Sequence, residues 1–191
     1  MKAIVAADKN WGIGYKNNLL YRIPEDMRFF RKETINKVVI MGYNTFASLP
    51  NSQPLKNRLN IVLSRKENLR IENTVVCSSI KQVFRAIEKY DKDDVYIIGG
   101  AEVYRAFLKY CDTAIITKID SDKKADVFFP NLDKEDGWHI AEKSQDLEDN
   151  GIKYSRLIYK NKDAEDFGAK GFAAAAEKCF GWMKRVQKNE N

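Results

Sequence analysis

Asp26 occupies a place in the sequence where a carboxylate needs a chemical reason to be. Ile23, Asp26, Met27, Phe30 and Thr34 follow the i, i+3, i+4, i+7 spacing of a single helix face, so Asp26 belongs to the stripe expected to face the core. Glu25, Arg28, Phe29 and Lys32 fall on the other side. A buried carboxylate without a partner either carries a large desolvation penalty or titrates until it is neutral. Asp26 therefore calls for a donor-rich neighbour or a ligand. Pro24 suits a first helical turn, and acids beside it favour the positive end of the helix dipole. Spacing alone thus leaves ligand binding and helix capping equally open.

Two glycine turns add a second kind of chemistry. In Ile97-Ile98-Gly99-Gly100-Ala101-Glu102-Val103-Tyr104 a buried strand ends and a helix opens, and Met41-Gly42-Tyr43-Asn44-Thr45 repeats the arrangement. Glycine lets backbone amides approach a ligand closely, and the start of a helix favours a phosphate. Either glycine run would also serve as a plain turn. Gly12-Ile13-Gly14 lacks the downstream helix and acidic partner of a dinucleotide fingerprint and is expected to be a flexible loop.

These residues need a scaffold, and the apolar runs supply one. Ala3 to Ala7, Val38 to Met41, Leu59 to Leu63, Thr74 to Cys77, Val95 to Ile98 and Ala114 to Ile119 read as strands buried on both faces. Helical patterns lie between them at Pro24 to Lys32, Asn44 to Leu49, Ser79 to Lys89 and Ala101 to Tyr110. The alternation predicts an α/β fold with a mostly parallel central sheet and helices on its faces. Trp138 to Lys143 and Lys153 to Tyr159, joined through Asn150-Gly151, should form an antiparallel hairpin closing that sheet.

A chain of 191 residues fits one domain. Cys77, Cys111 and Cys179 are odd in number and widely spaced, and with His139 the only histidine they suggest neither a disulfide framework nor a metal site. Cysteines and histidine read as structural. No apolar run suggests a signal peptide or a membrane span, so a soluble, cytoplasmic protein is expected. The net charge of +6 is uneven: residues 1 to 70 carry 13 Lys/Arg against 5 Asp/Glu, an excess of +8. That excess suits an anionic ligand, and a nucleic-acid-binding module would satisfy it too. The latter requires exposed stacking aromatics, whereas Phe29, Phe30 and Phe46 lie in helical patterns that suit packing. Residues 163 to 191 are richer in Ala, Gly and charge, with Phe172, Ala176, Phe180 and Met183 at helical spacing, and read as an appended helical extension.

Taken in order, these segments resemble dihydrofolate reductase over residues 1 to 162. The likeness is carried by Ile4-Val5-Ala6-Ala7, Gly12-Ile13-Gly14, Ile23 to Phe30, Val39-Ile40-Met41-Gly42, Thr45-Phe46, Pro54-Leu55, Arg58, Asn60 to Ser64, Ile98-Gly99-Gly100, Val103-Tyr104, Thr117, Asp126 and Phe129-Pro130. It implies a mostly parallel eight-stranded sheet with about four helices. It also implies NADPH-dependent reduction of 7,8-dihydrofolate to 5,6,7,8-tetrahydrofolate in one-carbon metabolism. A related pteridine or pyrimidine reductase is the alternative, which Arg58 disfavours because it would then lack a carboxylate tail to bind.

By the same resemblance, Asp26 accepts hydrogen bonds from the 2-amino group and N3 of the pterin, with Thr117 supporting it and Tyr21 beside it. Met27, Phe30, Leu49 and Leu55 line the ring pocket with Val5, the carbonyls of Ile4 and Ile98 reach the pterin edge, and Arg58 takes the glutamate carboxylate. Thr45 and the amides after Gly42 and Gly100 hold the pyrophosphate, Ser64 and Arg65 the 2′-phosphate, and Tyr104 packs near the nicotinamide. Ala6, Ile13, Leu19, Tyr43, Asn44, Leu63, Gly99, Ala101, Glu102 and Val103 complete the cofactor wall, and no metal is implied. Asp126 steadies the loop from Gly12 to Leu19. Tyr21 stands where the family often has Trp, and Tyr43 where many relatives have Arg. The 2′-phosphate is thus left mainly to Arg65, with Lys66 nearby. Dihydrofolate and antifolate inhibitors are the implied partners of a monomer, without nucleic acid or membrane.

Overall fold

The computed structural model describes residues 1–166. The predicted tail helix and Cys179 lie outside the described residues. In chain order the elements are β1 (Lys2–Ala7), β2 (Gly12–Tyr15), β3 (Asn18–Leu19), α1 (Pro24–Thr34), β4 (Val38–Gly42), α2 (Tyr43–Ala47), β5 (Leu59–Leu63) and β6 (Thr74–Cys77). They continue with α3 (Ile80–Ile87), β7 (Val95–Gly99), α4 (Ala101–Phe107), β8 (Thr113–Ile119), β9 (Val127–Phe128), β10 (Trp138–Lys143), β11 (Leu147–Asp149) and β12 (Ile152–Asn161).

The main sheet runs β10-β12-β8-β1-β7-β4-β5-β6, with β11 added beside β12. From β8 to β6 neighbouring strands are parallel, and β12 and β10 return antiparallel at one edge. The α/β architecture, the six predicted strands, the four helices and the closing hairpin are thus present. A continuous apolar run is what a strand covered on both faces requires. Val38, Val39, Ile40 and Met41 of β4 are all buried. Alternate side chains enter two cores. Ala3, Val38, Ile40, Ile61 and Ile97 pack with Val83, Phe84 and Ile87 of α3 and Val103 and Phe107 of α4. Ile4, Val39, Met41, Val62 and Tyr96 face the other way, toward Phe29 and Phe30 of α1 and Phe46 of α2.

Three expectations need correction. Gly12-Ile13-Gly14 is not a loop but strand β2, paired with β3 and β9 in a small second sheet. The signal was missed because the pairing with β9 is long-range, and glycine is what it demands. A Cβ at Gly12 would stand 2.7 Å from the Ala125 Cβ, and one at Gly14 would stand 3.2 Å from the Asn18 carbonyl oxygen. Phe29 is not turned away: it is half-buried against the second core, under the guanidinium of Arg156, whose Cζ lies 4.1 Å from the ring centroid. Finally, the stripe buries only its two ends, Ile23 just before α1 and Thr34 at its close, and Met27 remains 48% exposed. That face borders an open cleft rather than the core.

Candidate active site

One cleft of about 1820 Å³ crosses the molecule between α1, the mouth of the sheet and the β2–β3 segment. Single small-molecule pockets occupy roughly 300–1,000 Å³, so this one has room for two ligands side by side. Every residue assigned to substrate, cofactor or chemistry from the sequence lines it.

At one end is Asp26. Thr117 of β8 donates its hydroxyl to Asp26 Oδ1 at 2.5 Å across 91 residues of chain. The helix start is otherwise served: Ile23 provides no side-chain cap, and the Glu25 amide donates to Asp149 Oδ2 at 2.8 Å. Capping is therefore not the task of Asp26. Burial pushes its carboxyl above the usual range, against the opposing pull of the Thr117 hydrogen bond and the positive field of Arg156. The carboxylate neither points freely into solvent nor enters a salt bridge among the described residues. Ile4, Ile98, Phe30, Leu49 and Leu55 form an apolar wall nearby. Tyr21 closes the same end, buried, its hydroxyl accepting from the Lys123 amide at 3.1 Å.

Arg58 is held in place before any ligand arrives. Its Nε donates to Thr34 Oγ1 at 3.1 Å, Nη1 to the Lys56 carbonyl at 2.7 Å and Nη2 to the Arg31 carbonyl at 3.2 Å. Three bonds to neutral acceptors leave its charge uncompensated and its orientation set, as a carboxylate receptor requires. The loop that carries it is pinned by Asn60, which accepts from the Leu55 amide and donates to the carbonyls of Leu55 and Arg58. The sequence assigns Asn60 no role beyond its place in a motif, yet one buried polar residue inside the run from Leu59 to Leu63 is a legible signal for such a pin.

The two glycine turns, each a weak signal alone, meet at the other end. Cβ atoms placed on Gly99 and Gly100 would both lie 3.2 Å from Thr45 Oγ1, and one on Gly42 would lie 3.2 Å from Val103 Cγ2. The peptide between Gly99 and Gly100 is cis, and Gly99 has φ +136°. Side chains rarely adopt that φ. Gly99→Ala should therefore cost about 1–3 kcal/mol, checked by the denaturation midpoint. It should also crowd Thr45, read as weaker nucleotide binding. Past this cradle, Ser64 is buried and accepts from the Lys66 amide at 3.2 Å, while Arg65 is exposed. Lys66 Nζ lies 3.9 Å over the Tyr43 ring, a cation–π contact that places an ammonium beside the residue standing in for Arg. Tyr104 is buried and donates to the Ile4 carbonyl at 2.8 Å.

Asp126 accepts from the Lys16 amide at 2.9 Å and its own amide donates to the Gly14 carbonyl at 3.1 Å, so it ties down the β2–β3 segment. His139 is exposed on β10, whereas Cys77 and Cys111 are buried free thiols.

Comparison with known proteins agrees with this geometry. The family model described as dihydrofolate reductase matches residues 1–161. The chain is 33% identical over 167 residues to "Dihydrofolate reductase" of Bacillus subtilis (strain 168), covering 86% of this chain and 96% of that one. It is 39% identical over 127 residues to "Dihydrofolate reductase" of Buchnera aphidicola subsp. Acyrthosiphon pisum, covering 66% and 76%. Among solved structures, dihydrofolate reductase from Enterococcus faecalis complexed with NADP(H) and RAB-propyl superposes with a TM-score of 0.76 at 28% identity, covering 85% of this chain and 96% of that one.

Proposed function

Because the chain belongs to the dihydrofolate reductase family, we propose that it reduces 7,8-dihydrofolate to 5,6,7,8-tetrahydrofolate with NADPH, holding the pterin on Asp26. The observation that carries the site assignment is the Asp26 carboxylate beside an apolar wall at one end of the cleft, supported by a hydroxyl donor and left with acceptor capacity.

The two carboxylate oxygens match the two donors of the 2-amino group and N3 edge, a bidentate, charge-assisted pair. Thr117 fixes the plane of that carboxylate. Met27, Phe30, Leu49 and Leu55 exclude water around the rings, and Arg58 takes the glutamate carboxylate. The bound pterin is thereby oriented before reaction, which replaces a bimolecular encounter with a positioned one. Asp26 also stabilises the positive charge that develops when N5 is protonated. Its hydrogen bonds lie on the ring edge away from N5, so the proton comes from water. Tyr21 retains one hydroxyl hydrogen to offer such a water.

The cofactor end fits a dinucleotide: glycines leave the backbone bare at Thr45, and cationic side chains lie beyond. Bound NADPH supplies the hydride, from nicotinamide C4 to pterin C6. Thr45 and the amides after Gly42 and Gly100 hold the pyrophosphate, and Tyr104 packs at the nicotinamide end. Ser64, Arg65 and Lys66 receive the 2′-phosphate. Arg65→Ala should weaken NADPH binding by roughly tenfold, as loss of a charge-assisted phosphate contact does, while NADH binding stays the same. Fluorescence titration with both nucleotides checks this.

Residues 1–162 form the catalytic unit, and antifolates presenting a protonated diaminoheterocycle compete for Asp26. The cleft is complete within one chain, which supports a monomer. No described helix is long and apolar enough to cross a membrane. The direct test is loss of NADPH absorbance on adding dihydrofolate. A purified, folded protein that oxidises no NADPH would overturn the function.

A further inference from the structure

We propose that Arg156 is a positioning residue for the pterin-facing carboxylate, its guanidinium stacked on Phe29 behind α1 so that one fixed positive charge stands at the back of Asp26. The inference deepens the reading above and rests on Asp26 being the group that meets the pterin.

Arg156 lies on β12 directly opposite Thr117 of β8, the residue that bonds Asp26. Its backbone is locked on both sides, donating to Ser144 Oγ at 2.9 Å and accepting from the Ser144 amide at 2.8 Å. The guanidinium carbon is 4.1 Å from the Phe29 ring centroid and 5.7 Å from that of Tyr154. Nε is buried without a hydrogen-bond partner, and the side chain enters no salt bridge among the described residues. A buried donor on a cation is expensive to leave unmade, so its retention beside an active-site carboxylate points to a use for the charge.

That use is electrostatic. Burial drives Asp26 toward its neutral form, and the Arg156 field opposes it. The groups in the guanidinium's field are Asp26 and Glu25 on α1 and Tyr154 on its own strand, with Arg28 and Asp149 of β11 beside them, Asp149 accepting from the Glu25 amide. Glu25 is already engaged by Arg28, and the Tyr154 phenol is pushed further from ionising by burial. Asp26 is left as the acid whose ionisation the guanidinium helps decide. Stacking on Phe29 fixes where the charge sits, and Phe29 belongs to the same helix as Asp26.

The experiment follows the Asp26 carboxyl by carbon-detected NMR titration of the free protein, the signal assigned by its absence in Asp26→Asn. Arg156→Met should raise the Asp26 midpoint by about one pH unit, the size expected when a close opposite charge is removed. Arg156→Lys, which keeps the charge, should leave it near wild type. Thermal midpoints record packing losses separately, and Arg156→Gln replaces the Met variant if that fails to fold. An unmoved midpoint, or an equal rise with Met and Lys, overturns the proposal. Its failure is separable from failure of the Asp26 assignment, which would show as undiminished turnover in Asp26→Asn.

Discussion

Asp26→Asn is expected to lower kcat/KM for dihydrofolate about 10²–10³-fold at neutral pH, the range for loss of one preorganised electrostatic stabiliser. The amide retains one acceptor for the 2-amino group but opposes N3–H with a donor, so one hydrogen bond becomes a clash. It also carries no charge to stabilise a protonated N5. Only pterin protonated by bulk acid would then react well, so the residual rate should rise as pH falls. Stopped-flow hydride transfer across pH measures both effects.

The same variant should be more stable, and the pH at which that appears follows from the raised titration of Asp26. Below about pH 4, the ordinary Asp range, folded and unfolded wild-type chains both hold the proton and burial costs little. As pH rises the unfolded chain releases it first, and the folded state loses stability until its own carboxyl ionises. An Asn at this position has no proton to lose, and its oxygen still accepts from Thr117. Its thermal midpoint should therefore gain on wild type as pH rises above about 4, the gain levelling off once the folded wild-type carboxyl has ionised. A midpoint that falls relative to wild type over that span would mean that the ionised carboxylate is stabilised in the fold.

Arg58→Leu is expected to weaken dihydrofolate binding about 10²-fold, or roughly 2–3 kcal/mol, with NADPH affinity unchanged. The guanidinium has no carboxylate partner in the described chain, and three neutral acceptors aim it into the cleft. The substrate carboxylate is thus the partner lost. Arg58→Lys keeps a charge but not the planar fork and should fall between the two. Equilibrium titration with each ligand decides: parallel loss of both affinities would show that the substitution had loosened the loop between Leu55 and Arg58 rather than removed a contact.

Much of this molecule is legible without coordinates where a property repeats within a few residues. Val38 to Met41 and Leu59 to Leu63 announce doubly covered strands because every position but Asn60 is apolar, and Pro24 marks the start of α1 because proline fits only the first turn. Asp26 was visible as an acid on an apolar face. Which of its two roles applied was not visible from spacing, and the family resemblance supplied the pterin-binding expectation that the proposed function carries. Phe29 was misplaced because helix periodicity ranks faces by hydrophobicity and could not foresee that a residue from β12 would cover it. Gly12 to Gly14 was misread because glycine signals freedom locally, while here it permits close contact with a segment more than a hundred residues away.

What the sequence determined by itself is the set of parts: strands, helices, two turns with bare backbone, a guanidinium and a carboxylate where apolar residues should be. These follow from local propensity and burial preference, which act over one or two turns of chain. Tertiary structure alone decided that the apolar face of α1 would border a cavity instead of closing on the sheet. It also decided that Thr117 would reach Asp26 across 91 residues, that the glycine turns would share Thr45 and that Arg156 of β12 would lie over Phe29 of α1. A cavity exists where packed surfaces do not meet, and no short window of residues records that.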